Sequence, residues 1–159
     1  MENVPVHQVD ILSFAGKWYS LYSFPTMMTR TWQQTTETYI IHPDGYYAVF
    51  TTYHIPEDLE RRFVRSKLFV VPGTRNTKFK SQYIWPIKSD YWVVELGEDY
   101  SYAVIGHPKH KCLNIMSRKP GLPAQLLSDI KQRCHLKGYD VSRLVSQQHI
   151  AAVGKEVAS

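Results

Sequence analysis

The sequence predicts an all-β protein: an eight-stranded up-and-down antiparallel β-barrel, or calyx, with one C-terminal α-helix packed outside it. Apolar and polar side chains alternate along eight successive segments, which is the period of a strand with one buried face. Turns rich in Pro, Gly and Asp separate the segments, and after Pro120 the period becomes that of a helix. The predicted strands span residues 17–24, 35–41, 46–54, 61–71, 78–84, 91–96, 100–107 and 111–118.

Residues that favour turns bound these strands. The first segment places Trp18 and Tyr19 on opposite faces, and the second ends at the His-Pro-Asp-Gly turn of residues 42–45. Proline fixes φ in that turn and glycine reaches positive φ, so the third segment returns as a hairpin partner. The fourth segment stops at the Pro-Gly pair 72–73, and the sixth and seventh flank the turn 97–99.

The segment after Pro120 is predicted to be a helix over residues 122–137, because its apolar positions form one stripe and Gly138 is a natural stop. The stripe consists of Leu126, Leu127, Ile130, Cys134 and Leu136. An extended return with a short strand over 143–148 follows, and the residues from Ile150 onward are expected to fray.

Length and composition fit one globular domain over residues 1–159, with the barrel over 16–118. The net charge of +5 is scattered, and its densest cluster, 109–111, lacks the interleaved aromatics of a nucleic-acid platform. We therefore expect no nucleic-acid partner, and interpret the charge as a solvated surface or as weak attraction to anionic membranes.

No stretch is long and apolar enough for a membrane-spanning helix, and the N-terminus lacks the basic and apolar regions of a signal peptide. We expect an extracytoplasmic protein, periplasmic or associated with an outer membrane, whose signal has been removed. A cytosolic or membrane-peripheral protein is the alternative.

The predicted inward faces mix aromatic residues with Ser, Thr, Ala and Asn, whereas a filled core favours Val, Leu and Ile. Buried Tyr hydroxyls also need partners, which water or the polar head of a ligand supplies. We therefore predict a ligand cavity, with a solid core as the alternative. The candidate ligand-binding residues are Tyr22, Phe24, Glu37, Tyr39, Tyr47, Val49, Thr51, Tyr53, Leu68, Phe79, Ser81, Tyr83, Tyr91, Val93, Ile105 and Asn114.

One end of the barrel is predicted to be closed. A Gly16-x-Trp18 strand start near the N-terminus would plug it, and the guanidinium of Arg118, at the end of the last long strand, would lie across the Trp18 indole.

These signatures, together with Asp99-Tyr100 before a strand, resemble the lipocalin family. The resemblance runs over most of the chain and is closest to bacterial outer-membrane lipocalins and temperature-induced lipocalins, the apolipoprotein-D-like branch. It implies a carrier or scavenger, not an enzyme, that binds small apolar or amphipathic molecules such as fatty acids or lysophospholipids. It also implies a role in membrane lipid maintenance and a structural role for Gly16, Trp18 and Arg118.

Two positions depart from the family pattern. Asn114 replaces a large inward aromatic residue, which should enlarge the cavity or make it more polar. Glu37 stands where a small residue is usual. A carboxylate inside the barrel pairs with a cation, sits at the wet mouth, or has its pKa raised by loss of solvent.

The cysteines and histidines predict neither a catalytic site nor a metal site. Strand parity points Cys112 inward while Cys134 lies on the outer helix, so we expect two buried thiols and no disulfide. No His or Lys is clearly placed to activate Cys112. His107, His110 and Cys112 have metal-ligand spacing, but alternating side-chain directions make them ordinary turn residues. We therefore expect no cofactor and no metal.

The expected partner is a small hydrophobic or amphipathic ligand, and the expected state is a monomer or weak homodimer. The alternative function is an interaction module that docks on a membrane or protein through loops 26–33 and 55–62. In the first loop, Met27, Met28 and Trp32 form either a lid over the mouth or a docking tip.

Overall fold

Eight antiparallel strands close into a barrel in the computed structural model, which describes residues 1–149. The strands are β1 Gly16–Ser23, β2 Gln33–Ile41, β3 Tyr47–His54, β4 Arg62–Val70, β5 Lys78–Gln82, β6 Ser89–Leu96, β7 Tyr102–Gly106 and β8 Asn114–Ser117, followed by a short β9 Val145–Ser146. Each strand pairs with the next, β8 pairs with β1, and β1 pairs with β2, which closes the sheet. The predicted fold class is confirmed.

Within residues 1–149, two helices and two 3₁₀ turns accompany the barrel. The long helix α2, Ala124–Leu136, packs outside through Ile130 and Cys134, and a four-residue helix α1, Ile11–Phe14, precedes β1. The 3₁₀ turns are Glu98–Tyr100 and Val141–Arg143. Helix α1 was not predicted, because one helical turn is too short to show a period. The expected fraying from Ile150 lies outside the described residues.

The barrel has a mouth and a closed end. Loops 24–32, 55–61, 83–88 and 107–113 connect strands at the mouth, and we call them the mouth loops. Two predicted strands are shorter than expected there. β5 ends at Gln82 because a turn begins at Ile84, whose carbonyl accepts from the amide of Ile87, and β8 begins only at Asn114.

A β-bulge in β1 changes which side chains face inward. Ser20 is paired with Met116 and Tyr22 with the next residue, Ile115, so one extra residue is inserted between Ser20 and Tyr22. An insertion of one residue reverses the faces of a strand. Tyr22 therefore lies on the outer face beneath α2, where the Lys131 ammonium is 4.0 Å from its ring centroid. The prediction that Tyr22 faces the cavity is wrong.

The closed half of the barrel is solid. Phe14 of α1 enters it and packs on Trp18 and Tyr39, with ring centroids 5.3 Å away in each case. The Tyr47 hydroxyl donates to the carbonyl of Ile11, which ties β3 to the same segment. Three residues predicted to contact a ligand belong to this buried aromatic and aliphatic core instead, because α1 fills the space that they face: Tyr47, Phe79 and Val93.

Arg118 covers the closed end. Its Cζ atom is 3.7 Å from the centroid of the Trp18 ring, and its guanidinium donates to the carbonyls of Ser13, Ala15 and Lys17 at 2.7, 3.0 and 2.9 Å. Gly16 permits this approach. Its φ is +100°, and a Cβ atom there would stand 3.3 Å from an Arg118 nitrogen, so a larger residue is strained on both counts.

Candidate functional site

The half of the barrel nearer the mouth holds a cavity of about 230 Å³. This volume is smaller than the roughly 300–1,000 Å³ of typical small-molecule pockets, but larger than the roughly 150 Å³ cavity that can hold benzene. Eleven of the sixteen predicted ligand-binding residues line it: Phe24, Glu37, Tyr39, Val49, Thr51, Leu68, Ser81, Tyr83, Tyr91, Ile105 and Asn114.

The other five lie elsewhere. Tyr22 is outside the barrel, and Tyr47, Phe79 and Val93 are in the core beneath the cavity. Tyr53 stacks on Trp32 at 3.8 Å between ring centroids, so its ring supports the cavity wall from behind without lining it.

Loop residues complete the wall. Met28 and Trp32 of the first mouth loop line the cavity, as does Leu113 of the last, whereas Met27 points into solvent. Gln147, next to β9, also lines it and accepts a hydrogen bond from Thr35 Oγ1 at 2.7 Å. Loops carry no period, so only the apolar composition of residues 27–32 indicated such a role, and nothing in the sequence indicated Gln147.

A polar network forms the floor of the cavity around Glu37. Its Oε1 atom accepts from Asn114 Nδ2 at 3.0 Å, and its Oε2 atom accepts from the Tyr39 hydroxyl at 3.0 Å. The Tyr91 hydroxyl is 2.7 Å from that of Tyr39, and Ser20 Oγ donates to Asn114 Oδ1 at 2.7 Å. Tyr39 and Tyr91 also pack on the closed-end core, so this network marks the bottom of the cavity.

The surroundings of Glu37 shift several pKa values. Burial raises the pKa of Glu37, and the hydrogen bonds from Tyr39 and Asn114 oppose this only in part. Burial and the nearby Glu37 carboxylate together raise the pKa of Tyr83 to about 12 and hold those of Tyr39 and Tyr91 well above the ordinary value. The tyrosines are therefore neutral hydrogen-bonding groups at physiological pH.

The charge of the lining is negative although the chain is basic. Of the described residues that line the cavity, only Glu37 and Asp90 carry a carboxyl group, and none is Lys, Arg or His. Asp90 is paired with Lys80, and His107 Nε2 lies 3.9 Å away. Within residues 1–149 Glu37 has no such cationic partner.

Glu37 should cost stability at neutral pH. Its folded-state pKa lies above the ordinary value of 4.5, so the folded protein binds the proton more tightly than the unfolded chain. The free energy of unfolding therefore falls as the pH rises from 4.5 through the folded pKa. We expect Glu37→Gln to raise the Tm at pH 7.5, with a gain that shrinks towards pH 4.5. Calorimetry of both proteins tests this, and a lower Tm for the variant at pH 7.5 would contradict it.

The cysteines and histidines near the mouth do not form a reactive or metal-binding group. Cys112 lines the cavity and Cys134 lies on the buried face of α2, both as free thiols, and burial raises the pKa of each. His107 Nδ1 accepts from the amide of Lys109, while His110 Nε2 contacts the carbonyl of Lys137. The two imidazoles thus make hydrogen bonds with different parts of the backbone. Residues 1–149 contain no group of His, Cys, Asp or Glu side chains that could hold a metal ion.

Comparison with known proteins places this geometry in a family. A family model described as a lipocalin-like domain matches residues 9–149. Temperature-induced lipocalin-1 of Arabidopsis thaliana is 27% identical over 152 residues, covering 87% of this chain and 78% of the relative. Outer membrane lipoprotein Blc of Vibrio cholerae is 28% identical over 145 residues, covering 91% and 85%.

Solved structures support the same fold. Insecticyanin from the tobacco hornworm Manduca sexta superposes with a TM-score of 0.71 at 17% identity, over 92% of this chain and 84% of that one. Among the described residues, no helix has the length and apolar character needed to cross a bilayer. The barrel, its closed end and the family match agree, and the chain belongs to the lipocalin family.

Proposed function

We propose that this protein carries or scavenges one small hydrophobic or amphipathic ligand in its cavity and catalyses no reaction. Lipocalins bind small hydrophobic ligands, and the observation that supports this role here is the open cavity above a solid core. Buried aromatic and aliphatic side chains fill the closed half, whereas the half near the mouth leaves a cavity that can hold a ligand. The raised pKa of the Cys112 thiol also disfavours a nucleophilic role.

Fatty acids and lysophospholipids are the more specific candidates for the ligand. Val49, Leu68 and Ile105 offer apolar wall to an acyl chain. A fatty-acid carboxylate at about 4 Å from an ionised Glu37 would meet a repulsion of about 4 kcal/mol at an effective dielectric constant of 20. A fatty acid must therefore keep its carboxylate at the mouth. A lysophospholipid, whose headgroup stays outside in any case, fits the lining better.

Titration with N-phenyl-1-naphthylamine, an uncharged fluorescent probe, tests the carrier function. We expect one-to-one binding and displacement by lysophosphatidylcholine, with weaker displacement by oleate. Tyr83→Ala should weaken binding, because Tyr83 lines the cavity. Tyr46→Ala is the matched control, since that ring stacks on His42 away from the cavity. A flat titration with folded protein would overturn the proposal.

A second function, docking of the mouth on a membrane, is favoured by the apolar residues exposed on three mouth loops. These are Met27, Met28, Leu59, Ile84, Trp85 and Ile87, of which Leu59 is 97% and Trp85 82% exposed. Tryptophan prefers membrane interfaces. The four mouth loops carry five Lys or Arg residues and three Asp or Glu residues, a balance of only +2, so we infer that insertion of the apolar side chains outweighs attraction to anionic lipid.

Flotation with neutral phosphatidylcholine vesicles tests the docking. Trp85→Ser should reduce binding, whereas Leu12→Ser should not, because Leu12 is 77% exposed but lies at the closed end. Equal binding by both variants would contradict docking through the mouth. An extracytoplasmic location belongs to the same proposal, and it is supported by relatives that are outer membrane lipoproteins.

A further inference from the structure

We propose that the floor of the cavity is a subsite for an ammonium group, so that the cavity also accepts small amphipathic amines, bound head-first with the apolar body towards the mouth. This inference rests on the proposed carrier function and adds a second chemical class to its ligands.

Within residues 1–149, Glu37 has no cationic side chain as a counter-ion. Both of its oxygens accept hydrogen bonds, one from Asn114 and one from Tyr39, while burial raises its pKa, so a cation placed beside it would favour the ionised form. An ionised carboxylate has about four acceptor positions, and these two bonds leave the others available. Buried charges in proteins are normally paired. A cationic ligand would supply the pairing that is absent at Glu37.

The other part-buried carboxylates of the barrel show the contrast. Glu95 is held by Arg133 through two hydrogen bonds of 2.7 and 2.8 Å, and Asp90 is paired with Lys80. In both cases the chain supplies the cation itself. Among the part-buried carboxylates of residues 1–149, only Glu37 is left without a cationic partner.

Thr51 provides a second, independent observation. It is 2% exposed and lines the cavity, and its Oγ1 is the one buried side-chain oxygen or nitrogen within residues 1–149 that makes no hydrogen bond of normal geometry, although it lies near enough to the Tyr83 hydroxyl to lower the pKa of Tyr83. Thr51 is the cross-strand neighbour of Glu37, so both side chains stand side by side on the inner face. An ammonium has three donors, which can reach both groups at once.

The rest of the lining suits the same orientation. The hydroxyls of Tyr39 and Tyr91 belong to the floor, and Tyr83 reaches towards it from the mouth loop 83–88, so neutral polar groups surround the ammonium position. Phe24, Trp32 and Leu113 lie nearer the mouth and offer apolar contacts to the body of the ligand. An anionic head at the floor would instead face Glu37, and the lining formed by residues 1–149 has no Lys, Arg or His to balance it.

Isothermal titration of octylamine, octan-1-ol and octanoate at pH 7.5 tests the subsite, because these ligands share one chain and differ in the head. We expect octylamine to bind at least tenfold more tightly than octan-1-ol, and octanoate to bind most weakly. Glu37→Gln should abolish the preference for the amine. Glu60→Gln, the same change on an exposed mouth loop, should leave the preference intact.

The outcomes separate the two proposals. If octan-1-ol or octanoate binds the wild-type protein as tightly as octylamine does, the ammonium subsite is wrong while the carrier function stands. The subsite is equally wrong if Glu37→Gln keeps the preference for the amine. If none of the three ligands and no N-phenyl-1-naphthylamine binds to folded wild-type protein, the carrier function itself fails.

Discussion

Replacing Trp18 by Ala is expected to lower the free energy of unfolding by about 3–5 kcal/mol. The indole is fully buried, packs on Phe14, and donates from Nε1 to the carbonyl of Phe14 at 2.9 Å. Its removal leaves a cavity in the closed half and takes the aromatic face away from Arg118. Urea denaturation measures the loss as a lower midpoint with an unchanged slope.

Two variants show whether the closed end acts as a unit. Arg118→Ala should cost about 1–2 kcal/mol, because it removes the cation over the indole and the donors to four carbonyls. Trp85→Ala, a matched change at an exposed indole, should stay within about 0.5 kcal/mol of wild type. If Trp18→Ala were as mild as Trp85→Ala, the closed end would not be the stable core of the barrel.

Asn114→Trp is expected to weaken binding of long-chain ligands by tenfold or more, while the protein still folds. Asn114 lines the cavity, and an indole there would occupy much of the 230 Å³. Loss of two or three buried methylenes at about 0.8 kcal/mol each exceeds the 1.4 kcal/mol that corresponds to tenfold. Affinities across a series of alcohols of increasing chain length measure the effect, which should grow with length.

Asn114→Ala separates the two consequences of that change. It removes the hydrogen bond to Glu37, as Trp does, but leaves the space open. We therefore expect Asn114→Ala to retain affinity for long alcohols. If Asn114→Trp instead binds all chain lengths as the wild type does, the indole must have turned out of the cavity and the size argument is wrong.

The barrel could be predicted from the sequence because alternation and turn residues are local signals. Which side chains point into the barrel, and which of them line a cavity, was harder to predict from the sequence. Strict alternation of strand faces predicted that Tyr22 points inward, but the β-bulge in β1 inserts one residue before it and reverses its face. Tyr47, Phe79 and Val93 do face inward, but whether they meet a ligand or a core depends on Phe14, which comes from a segment distant in sequence.

The floor of the cavity shows the same limit. Glu37 and Asn114 stood out in the sequence as departures from a family pattern, each by itself. They are 77 positions apart, and only closure of the barrel brings Asn114 Nδ2 to 3.0 Å from the carboxylate. The lack of a cation in the lining formed by residues 1–149 is a property of the assembled wall that no single segment shows.

The solid closed half has a consequence for how this barrel can change. Since Phe14, Trp18 and Arg118 stabilise one end, substitutions around the mouth act on a part of the molecule that contributes little to that core. Selection, natural or in the laboratory, can therefore exchange exposed residues of the mouth loops and alter what is bound with little risk of unfolding. For a library of variants with new ligands, the positions to randomise are Met28 and Tyr83, which line the cavity and are 48% and 40% exposed.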